Sequence, residues 1–408
     1  MRRSLLVGLV GVPILVLGAC RPGTPDLDFG ERGTVVLPDL AGSSLFPTLD
    51  GGVLVGDAGP LVRLGVDGSR GADLEIDRPP GCDQLSVLQR DGDGFVGVCQ
   101  RPDGDAGVAR TAADGTVDLN FGHGGVAALP AEMAHVSGVV ALPAGGYAVA
   151  GTGPQPGTRE SAPPVVLAVL DEGGTVAFVE SATPGVSPIP PEIDATPFTS
   201  GAGVQSTDSG AAFLASVGTT IVSVPFHTAA VTRLAADGRP IGDLIAPGID
   251  LRQDGWTGVV DLDAGRYAIA QTVTTFDFDF HRTSTFGTVS FRLPDGTPDP
   301  AAPGFSPQTP AGDLILPRAA VATDGGAHLW IAGSAGADAA VVARFDTATG
   351  RLDPAFGAGG VATLPMATVA DMAVATDGRP RVYVSGTTST GERVVTRVFA
   401  HVGTPSTG

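Results

Sequence analysis

The sequence predicts an all-β fold, a seven-bladed β-propeller of four-stranded blades, on three observations. Three segments align without a gap as D-x-x-F-G-x-x-G-x-x-x-L-P, at Asp26–Pro38, Asp118–Pro130 and Asp353–Pro365. Gly and Pro are abundant, at 60 and 34 residues, yet 43% of the chain is hydrophobic, a mixture typical of many short strands joined by turns. Strand-and-turn units recur about every 56 residues, which is the length of one blade.

The first element of each unit is a hairpin, in which two apolar runs flank a turn rich in Gly and Asp. Such turns are the strongest short-range hairpin signal. The seven turns lie at residues 50–52, 91–93, 144–146, 208–210, 263–265, 324–326 and 377–378.

The second element is a further apolar strand that runs into another turn. These seven strands precede Gly68, Gly115, Gly173, Gly238, Gly296, Gly350 and Gly403. Two strands from the hairpin, this strand and the segment after it make four strands per unit.

The two ends of the chain predict how the ring closes. The D-x-x-F-G segment follows the second element within a unit, but the chain stops after Gly403 without it and begins with it at Asp26. We therefore expect residues 33–38 to supply the outer strand of the last blade, beside strands from residues 369–400. This pairing would remove a free sheet edge. The predicted propeller is a single domain, residues 26–403, followed by a tail, residues 404–408.

Two of these segments point to a family. Residues 115–126 (GTVDLNFGHGGV) and 350–361 (GRLDPAFGAGGV) resemble the delta-60 repeat of bacterial surface proteins. Residues 26–35 are a truncated third copy and residues 296–299 a partial fourth. The units around residues 68, 173 and 238 lack the Phe-Gly part. The resemblance implies a β-propeller and brings no catalytic residues with it.

The N-terminus resembles the signal peptide of a bacterial lipoprotein. Arg2 and Arg3 precede an apolar run, Leu5–Leu17, which is too short to span a bilayer. The run ends in Leu-Gly-Ala-Cys, which resembles a lipobox and implies cleavage after Ala19 and a lipid on Cys20. Residues 1–19 would be the signal peptide and residues 20–25 a short tether. We expect a protein anchored in the cell membrane of a bacterium, on its extracytoplasmic face, with the last blade near the anchor.

Two further cysteines are expected to form a disulfide. Cys82 and Cys99 flank the turn at residues 91–93, and a hairpin centred there would bring them almost opposite each other. Disulfides persist in the oxidising compartments to which an exported protein is delivered.

The charge balance excludes one class of partner. The formal net charge is −19 at pH 7, so the surface would repel a phosphate backbone and we expect no nucleic-acid binding. We expect a monomer that requires no cofactor.

Aromatic residues recur at the start of the second strand of six units, and two interpretations are open. They could form a ligand cage, or they could pack between adjacent blades, which their position once per blade favours. These residues are Phe95, Tyr147, Phe213, Tyr267, Trp330 and Tyr383.

The candidate ligand-binding face is the end of the propeller where the chain enters each innermost strand. Loops on a rigid scaffold are where binding residues concentrate. The charged residues and the histidine expected there are Asp39, Glu132, His135, Glu192, Asp194, Asp250, Arg252 and Arg318.

The sequence favours a non-enzymatic binding or scaffold module for a protein or a glycan. The alternative is a propeller hydrolase or lactonase with a metal in the central channel, and a purely structural envelope protein is a third possibility. An enzyme of that kind needs polar groups that converge on the channel, whereas the inner strands, for example residues 139–142, 259–262 and 319–323, are mostly apolar or small. We therefore predict no catalytic residue and no metal site.

Overall fold

The structure is a computed structural model. It describes residues 23–40, 42–57, 59–102, 104–155, 162–183, 195–207, 210–221, 224–241, 252–262, 265–276, 282–302, 304–336, 339–375 and 381–399. The predicted signal peptide, the predicted lipidation site Cys20 and the predicted tail at residues 404–408 lie outside these residues. Within them, no helix is long and apolar enough to cross a membrane.

The described residues form 26 strands and one short 3-10 helix, Asp324–Gly326. In chain order the strands are β1 (Thr34–Val36), β2 (Leu45–Pro47), β3 (Val53–Val55), β4 (Val62–Leu64), β5 (Gln84–Asp91), β6 (Gly94–Gln100), β7 (Ala106–Thr111), β8 (Val126–Ala128), β9 (His135–Ala141), β10 (Tyr147–Thr152), β11 (Val165–Leu170), β12 (Val176–Ala182), β13 (Ala195–Thr207), β14 (Gly210–Ile221), β15 (Val224–Leu234), β16 (Arg252–Asp261), β17 (Tyr267–Phe276), β18 (Arg282–Arg292), β19 (Ile315–Thr323), β20 (His328–Ala335), β21 (Ala339–Asp346), β22 (Arg351–Leu352), β23 (Val361–Thr363), β24 (Thr368–Ala375), β25 (Arg381–Thr387) and β26 (Arg393–Phe399).

The strands build a seven-bladed β-propeller, which confirms the predicted fold class. Blades 1 to 6 are β2–β4, β5–β8, β9–β12, β13–β15, β16–β18 and β19–β23, and blade 7 is β24–β26 with β1. Blades 4 and 5 are joined into one six-stranded sheet by a single parallel pairing of His227 with Gln253.

The number of strands per blade varies, although four were predicted throughout. Blades 2, 3 and 7 have four hydrogen-bonded strands, and in blade 6 both β22 and β23 pair with β21. In blades 1 and 5 the outer position holds an isolated bridge, Leu61 to Leu74 and Val289 to Phe305 respectively. Prolines at 79, 80 and 307 follow these bridges and cannot donate a ladder hydrogen bond, which keeps the outer segments short.

The first strand of the chain lies beside the last. Thr34 and Val36 of β1 pair antiparallel with Thr396 and Val394 of β26. Upstream, the Gly23 amide donates a hydrogen bond of 2.8 Å to the Phe399 carbonyl. The N-terminal segment therefore covers the outer edge of blade 7, the position that the sequence analysis assigned to residues 33–38.

The wedge-shaped spaces of the ring are filled by aromatic rings. The six aromatic residues predicted on the second strands are all at most 3% exposed, so they pack in the core and form no open cage. Phenylalanines of the D-x-x-F-G segments meet three of them edge to face. The pairs are Phe29 with Tyr383, Phe121 with Tyr147 and Phe356 with Trp330, with ring centroids 4.8 to 5.6 Å apart. The repeated Phe is thus a packing residue.

The repeated Asp has a buried partner that sequence reasoning missed. In blade 7 the Arg397 guanidinium lies 2.5 Å from the Asp26 carboxylate, and both side chains are at most 4% exposed. Arg344 contacts Asp353 at 2.6 Å in the same way in blade 6. The sequence does carry the signal, because residues 108–110, 342–344 and 395–397 all read V-[AT]-R.

The ring has two ends, which we name by their loops. The top face is the end at which the innermost strands β2, β5, β9, β13, β16, β19 and β24 begin. The bottom face is the opposite end, with the hairpin turn that follows each innermost strand and with the D-x-x-F-G segments. Gly23, the first described residue, bonds to the end of β26 and therefore lies at the bottom face.

Candidate functional site

A cavity of about 820 Å³ lies where the innermost strands of blades 1, 2, 4 and 7 meet, in the central channel. Its apolar wall includes Phe46 of β2 and Met372 of β24. The polar side chains that line it are those of Ser43, Ser44, Asp57, Ser86, Gln89, Arg90, Gln205 and Asp371. The cavity therefore offers hydrogen-bond donors, acceptors and apolar surface together.

The cavity lies beside the shortest innermost strand of the described blades. This strand, β2 of blade 1, has three residues, whereas β5 and β24 on either side of it have eight each. The neighbouring strands are also bulged. Their registers shift between Ser86 and Gln89 and between Val369 and Asp371, and a bulge re-aims the side chains next to it.

Val87, within the first of these bulges, has a φ of 53°. A β-branched residue rarely adopts this left-handed conformation, which costs on the order of 1–3 kcal/mol and concentrates at functional sites. The strain lies in the cavity wall, since Val87 is one of the lining residues.

Asp57, in the loop after β3, is held ionised at the top of the cavity. Its Oδ1 accepts hydrogen bonds from the amides of Ser43 (3.0 Å) and Ser44 (2.8 Å). Burial opposes the charge, but the Ser44 hydroxyl and these two amides outweigh burial and lower the pKa of the Asp57 carboxyl below its usual value.

Asp371, on β24, has the opposite shift. Its Oδ2 accepts from the Leu45 amide at 2.9 Å and its Oδ1 from the Met372 amide at 2.8 Å. Burial nevertheless dominates, and with a smaller contribution from the negative charge of Asp57 it raises the pKa of Asp371 to about 6. The two carboxyl groups accept hydrogen bonds from consecutive backbone amides, those of Ser44 and Leu45. Both line the cavity, and their pKa values are shifted in opposite directions.

Gln205 of β13 lines the same cavity and joins two blades. Its side-chain amide exchanges two hydrogen bonds with the backbone of Val259 on β16, at 2.8 and 3.0 Å. Because both partners are fixed, Gln205 is a rigid part of the wall.

Four of the eight residues predicted for the ligand face can be placed. Asp39, Glu132, His135 and Arg318 are exposed near the start of innermost strands, and none of these four lines the cavity. Arg318 sits at a bulge of β19, where the pairing shifts between Pro317 and Ala319. Arg252 is the first residue of β16, and the structure describes its backbone but not its side chain. The remaining three predicted residues, Glu192, Asp194 and Asp250, lie outside the described residues.

The two cavity carboxylates were missed by the sequence analysis. It described the inner strands as mostly apolar or small and did not single out Asp371, which interrupts the run TVADMAVA of β24. An Asp inside such a run is the signal that could have identified it, since an ionisable group is rarely buried without a purpose.

The described residues give the metal-dependent alternative no ligand set. Among them, no group of three or more His, Cys, Asp or Glu side chains is placed to hold a metal ion. The predicted disulfide is present, with the Cα atoms of Cys82 and Cys99 5.5 Å apart, and it staples the β5–β6 hairpin of blade 2.

No protein-family model matches the chain, and no curated protein matches it. Among solved structures it is similar to the Pan2 WD40 domain of Neurospora crassa, at 12% identity and a TM-score of 0.49, over 90% of this chain and 94% of that one. It is similar to an α-L-arabinofuranosidase of Fusarium graminearum, at 13% identity and a TM-score of 0.44, over 79% and 97%. It is also similar to an α-L-arabinanase of Penicillium chrysogenum, at 14% identity and a TM-score of 0.40, over 77% and 92%. Likenesses at these levels of identity bear on the fold alone.

Proposed function

We propose that this chain is a lipid-anchored, extracytoplasmic β-propeller that acts as a binding module for a neutral glycan, which it holds in the central channel. The observation that carries the proposal is the channel cavity of about 820 Å³ with its mixed polar lining. Ligand sites in proteins are commonly clefts of roughly 300–1,000 Å³ with a few polar groups that fix orientation.

The lining suits a polyhydroxylated ligand. Each sugar hydroxyl both donates and accepts, so it can donate to the carboxylates of Asp57 and Asp371 and accept from Arg90. Phe46 and Met372 offer apolar surface to the C–H groups of a sugar ring. The pair of carboxylates disfavours an anionic ligand.

Filling the cavity should abolish binding. Ser86 lines the cavity, so Ser86→Trp would place an indole in the channel, and we expect the affinity for a bound oligosaccharide to fall at least about tenfold, or 1.4 kcal/mol. The measurement is isothermal titration with oligosaccharides first selected on an array of neutral glycans, using the full chain in detergent.

Ala355→Trp is the matched control, because Ala355 is exposed in the D-x-x-F-G segment of blade 6. Unchanged affinity in Ser86→Trp would place the ligand outside the channel. If the chain binds a protein and binds no glycan, the ligand of this module would be a protein and the glycan part of the proposal would be wrong.

The membrane anchor is the second part of the proposal. Two observations support it. Residues 17–20 read Leu-Gly-Ala-Cys, which resembles a lipobox. Gly23, which is only three residues after Cys20, is already hydrogen-bonded to the propeller body at Phe399. Such a short link holds the bottom face against the membrane, because three residues span at most about 11 Å.

Removal of the lipid-bearing thiol tests the anchor. We expect Cys20→Ser to move the protein from the membrane pellet to the soluble fraction of a bacterial host, because no acyl chains would be attached. Metabolic labelling with an alkyne fatty acid should mark the native chain and leave the variant unmarked. A variant that stays in the pellet after a carbonate wash would contradict the anchor.

A further inference from the structure

We propose that Asp57 and Asp371 are an acid–base pair that hydrolyses a glycosidic bond in the channel. This inference rests on the proposed function, namely that the cavity binds a glycan, and it adds turnover at the same site. Both carboxyl groups line one cavity and are held by the neighbouring amides of Ser44 and Leu45.

The start of β2 holds the pair from its two edges. Ser44 and Leu45 are consecutive, and their amides face opposite edges of the strand, because the Ser44 carbonyl accepts from the Gly56 amide beside β3 whereas the Leu45 amide faces β24. Their amides donate to Asp57 Oδ1 at 2.8 Å and to Asp371 Oδ2 at 2.9 Å. Both side chains are therefore fixed to one short piece of backbone at the start of β2, which is the preorganisation that a catalytic pair requires.

The chemistry needs only these two groups and water. Protonated Asp371 gives its proton to the glycosidic oxygen as the bond from that oxygen to the anomeric carbon breaks. The Asp57 carboxylate takes a proton from a water molecule, whose oxygen forms the new bond to the anomeric carbon. The two sugar products leave, and the proton on Asp57 returns to Asp371 through solvent, so neither an oxidant nor a metal is consumed.

The lining of the cavity favours this reaction class. The described lining contains neither histidine nor cysteine, so it holds no Ser–His or Cys–His pair of the kind that many ester and amide hydrolases use. Paired carboxyl groups serve both aspartic proteases and glycoside hydrolases, and the neutral glycan of the proposed function favours glycoside hydrolysis.

The environments of the two groups assign their roles. Burial favours the protonated form of Asp371, whereas the hydrogen bonds at Asp57 favour its carboxylate. Two carboxyl groups whose surroundings push their protonation apart are typical of an acid and its partner base.

The test measures binding and turnover on the same protein. The full chain in detergent is titrated with neutral oligosaccharides and then incubated with them, and with 4-nitrophenyl α- and β-glycosides of hexoses and pentoses, between pH 4.5 and 7.5. We expect release of new reducing ends, with the rate falling as the pH rises above about 6 because the acid form of Asp371 is lost.

Asp57→Asn and Asp371→Asn should each lower kcat at least about 100-fold, while the oligosaccharide still binds. Asp237→Asn, an exposed carboxylate on the bottom face, is the control and should leave the rate unchanged. Thermal melting verifies that each variant is folded. If Asp371→Asn does not fold, Asp57→Asn alone decides the question.

Three results would overturn the inference in distinguishable ways. Binding without cleavage at any pH would remove the inference and leave the proposed function intact. Cleavage that survives both substitutions would place the activity at another site. Failure of every oligosaccharide to bind would remove the proposed function, and the inference with it.

Discussion

Arg397→Ala should lower the free energy of unfolding by about 3–5 kcal/mol, because it leaves the Asp26 carboxylate buried without its partner. The two side chains are 3% and 4% exposed and lie 2.5 Å apart. Arg397 also lies over the ring of Phe29 at 4.7 Å and donates to the Val66 carbonyl of blade 1. Its loss therefore affects the seam between the first and last blades. Urea unfolding followed by far-ultraviolet circular dichroism would measure the change.

Arg63→Ala is a matched control on the third strand of blade 1. Arg63 contacts Asp50 at 2.6 Å, but these side chains are 49% and 58% exposed, so water screens the pair. Exposed pairs contribute roughly 0–1 kcal/mol, and we expect a change within that range. Equal effects in the two variants would show that burial of the Asp26–Arg397 pair adds nothing to the stability of the fold.

The ionised Asp371 carboxylate should lower the free energy of unfolding at pH 7.5, whereas a neutral side chain at this position would not. Folding raises the pKa of this carboxyl from 3.8 to about 6, so the folded state binds more protons than the unfolded state between these values. The group therefore destabilises the fold fully above pH 6, and the penalty disappears as the pH falls toward 4. A shift of this size corresponds to roughly 3 kcal/mol at pH 7.5 and about 1 kcal/mol at pH 4.5.

The penalty is measured as a difference between proteins, because other carboxyls titrate in the opposite sense. Asp50, for example, has a pKa lowered mainly by hydrogen bonds from Thr48 and Arg63. The free energy of unfolding of Asp371→Asn minus that of the native chain should be about 2 kcal/mol larger at pH 7.5 than at pH 4.5. A difference independent of pH would contradict the raised pKa of Asp371. Asp67→Asn, whose carboxyl has a lowered pKa, should show a trend of the opposite sign.

The fold could be predicted because its determinants are local and repeated. Each D-x-x-F-G segment contains a Phe that packs in the core and an Asp whose carboxylate accepts the amide two residues later, as Asp26 does from Asp28 at 3.2 Å. The residues that make these contacts lie within a short segment, so the contacts produce a recurring sequence motif. The hairpin turns can also be recognised in the sequence, because their backbone conformation requires Gly.

The cavity could not be predicted because it arises from departures from the repeat. Leu45 and Asp371 are 326 residues apart, and they meet only because the ring brings blade 1 next to blade 7. The bulge at Val87 and the three-residue β2 are irregularities that no periodic pattern announces. The Asp of β24 was visible in the sequence, but its neighbours were not.

The pairing of β1 with β26 fixes the order in which the molecule can be completed. Thr34 and Thr396, whose hydroxyls lie 3.1 Å apart, are separated by 362 residues, so the ring cannot close until nearly the whole chain has been synthesised. Because synthesis starts at the N-terminus, residues 23–36 emerge first and must stay unpaired while six blades form. During that interval both the first strand and the edge of the growing array can bind other chains. The exposed edges are covered only when β26, residues 393–399, pairs with β1. The protein should therefore be most prone to aggregation before this last pairing forms.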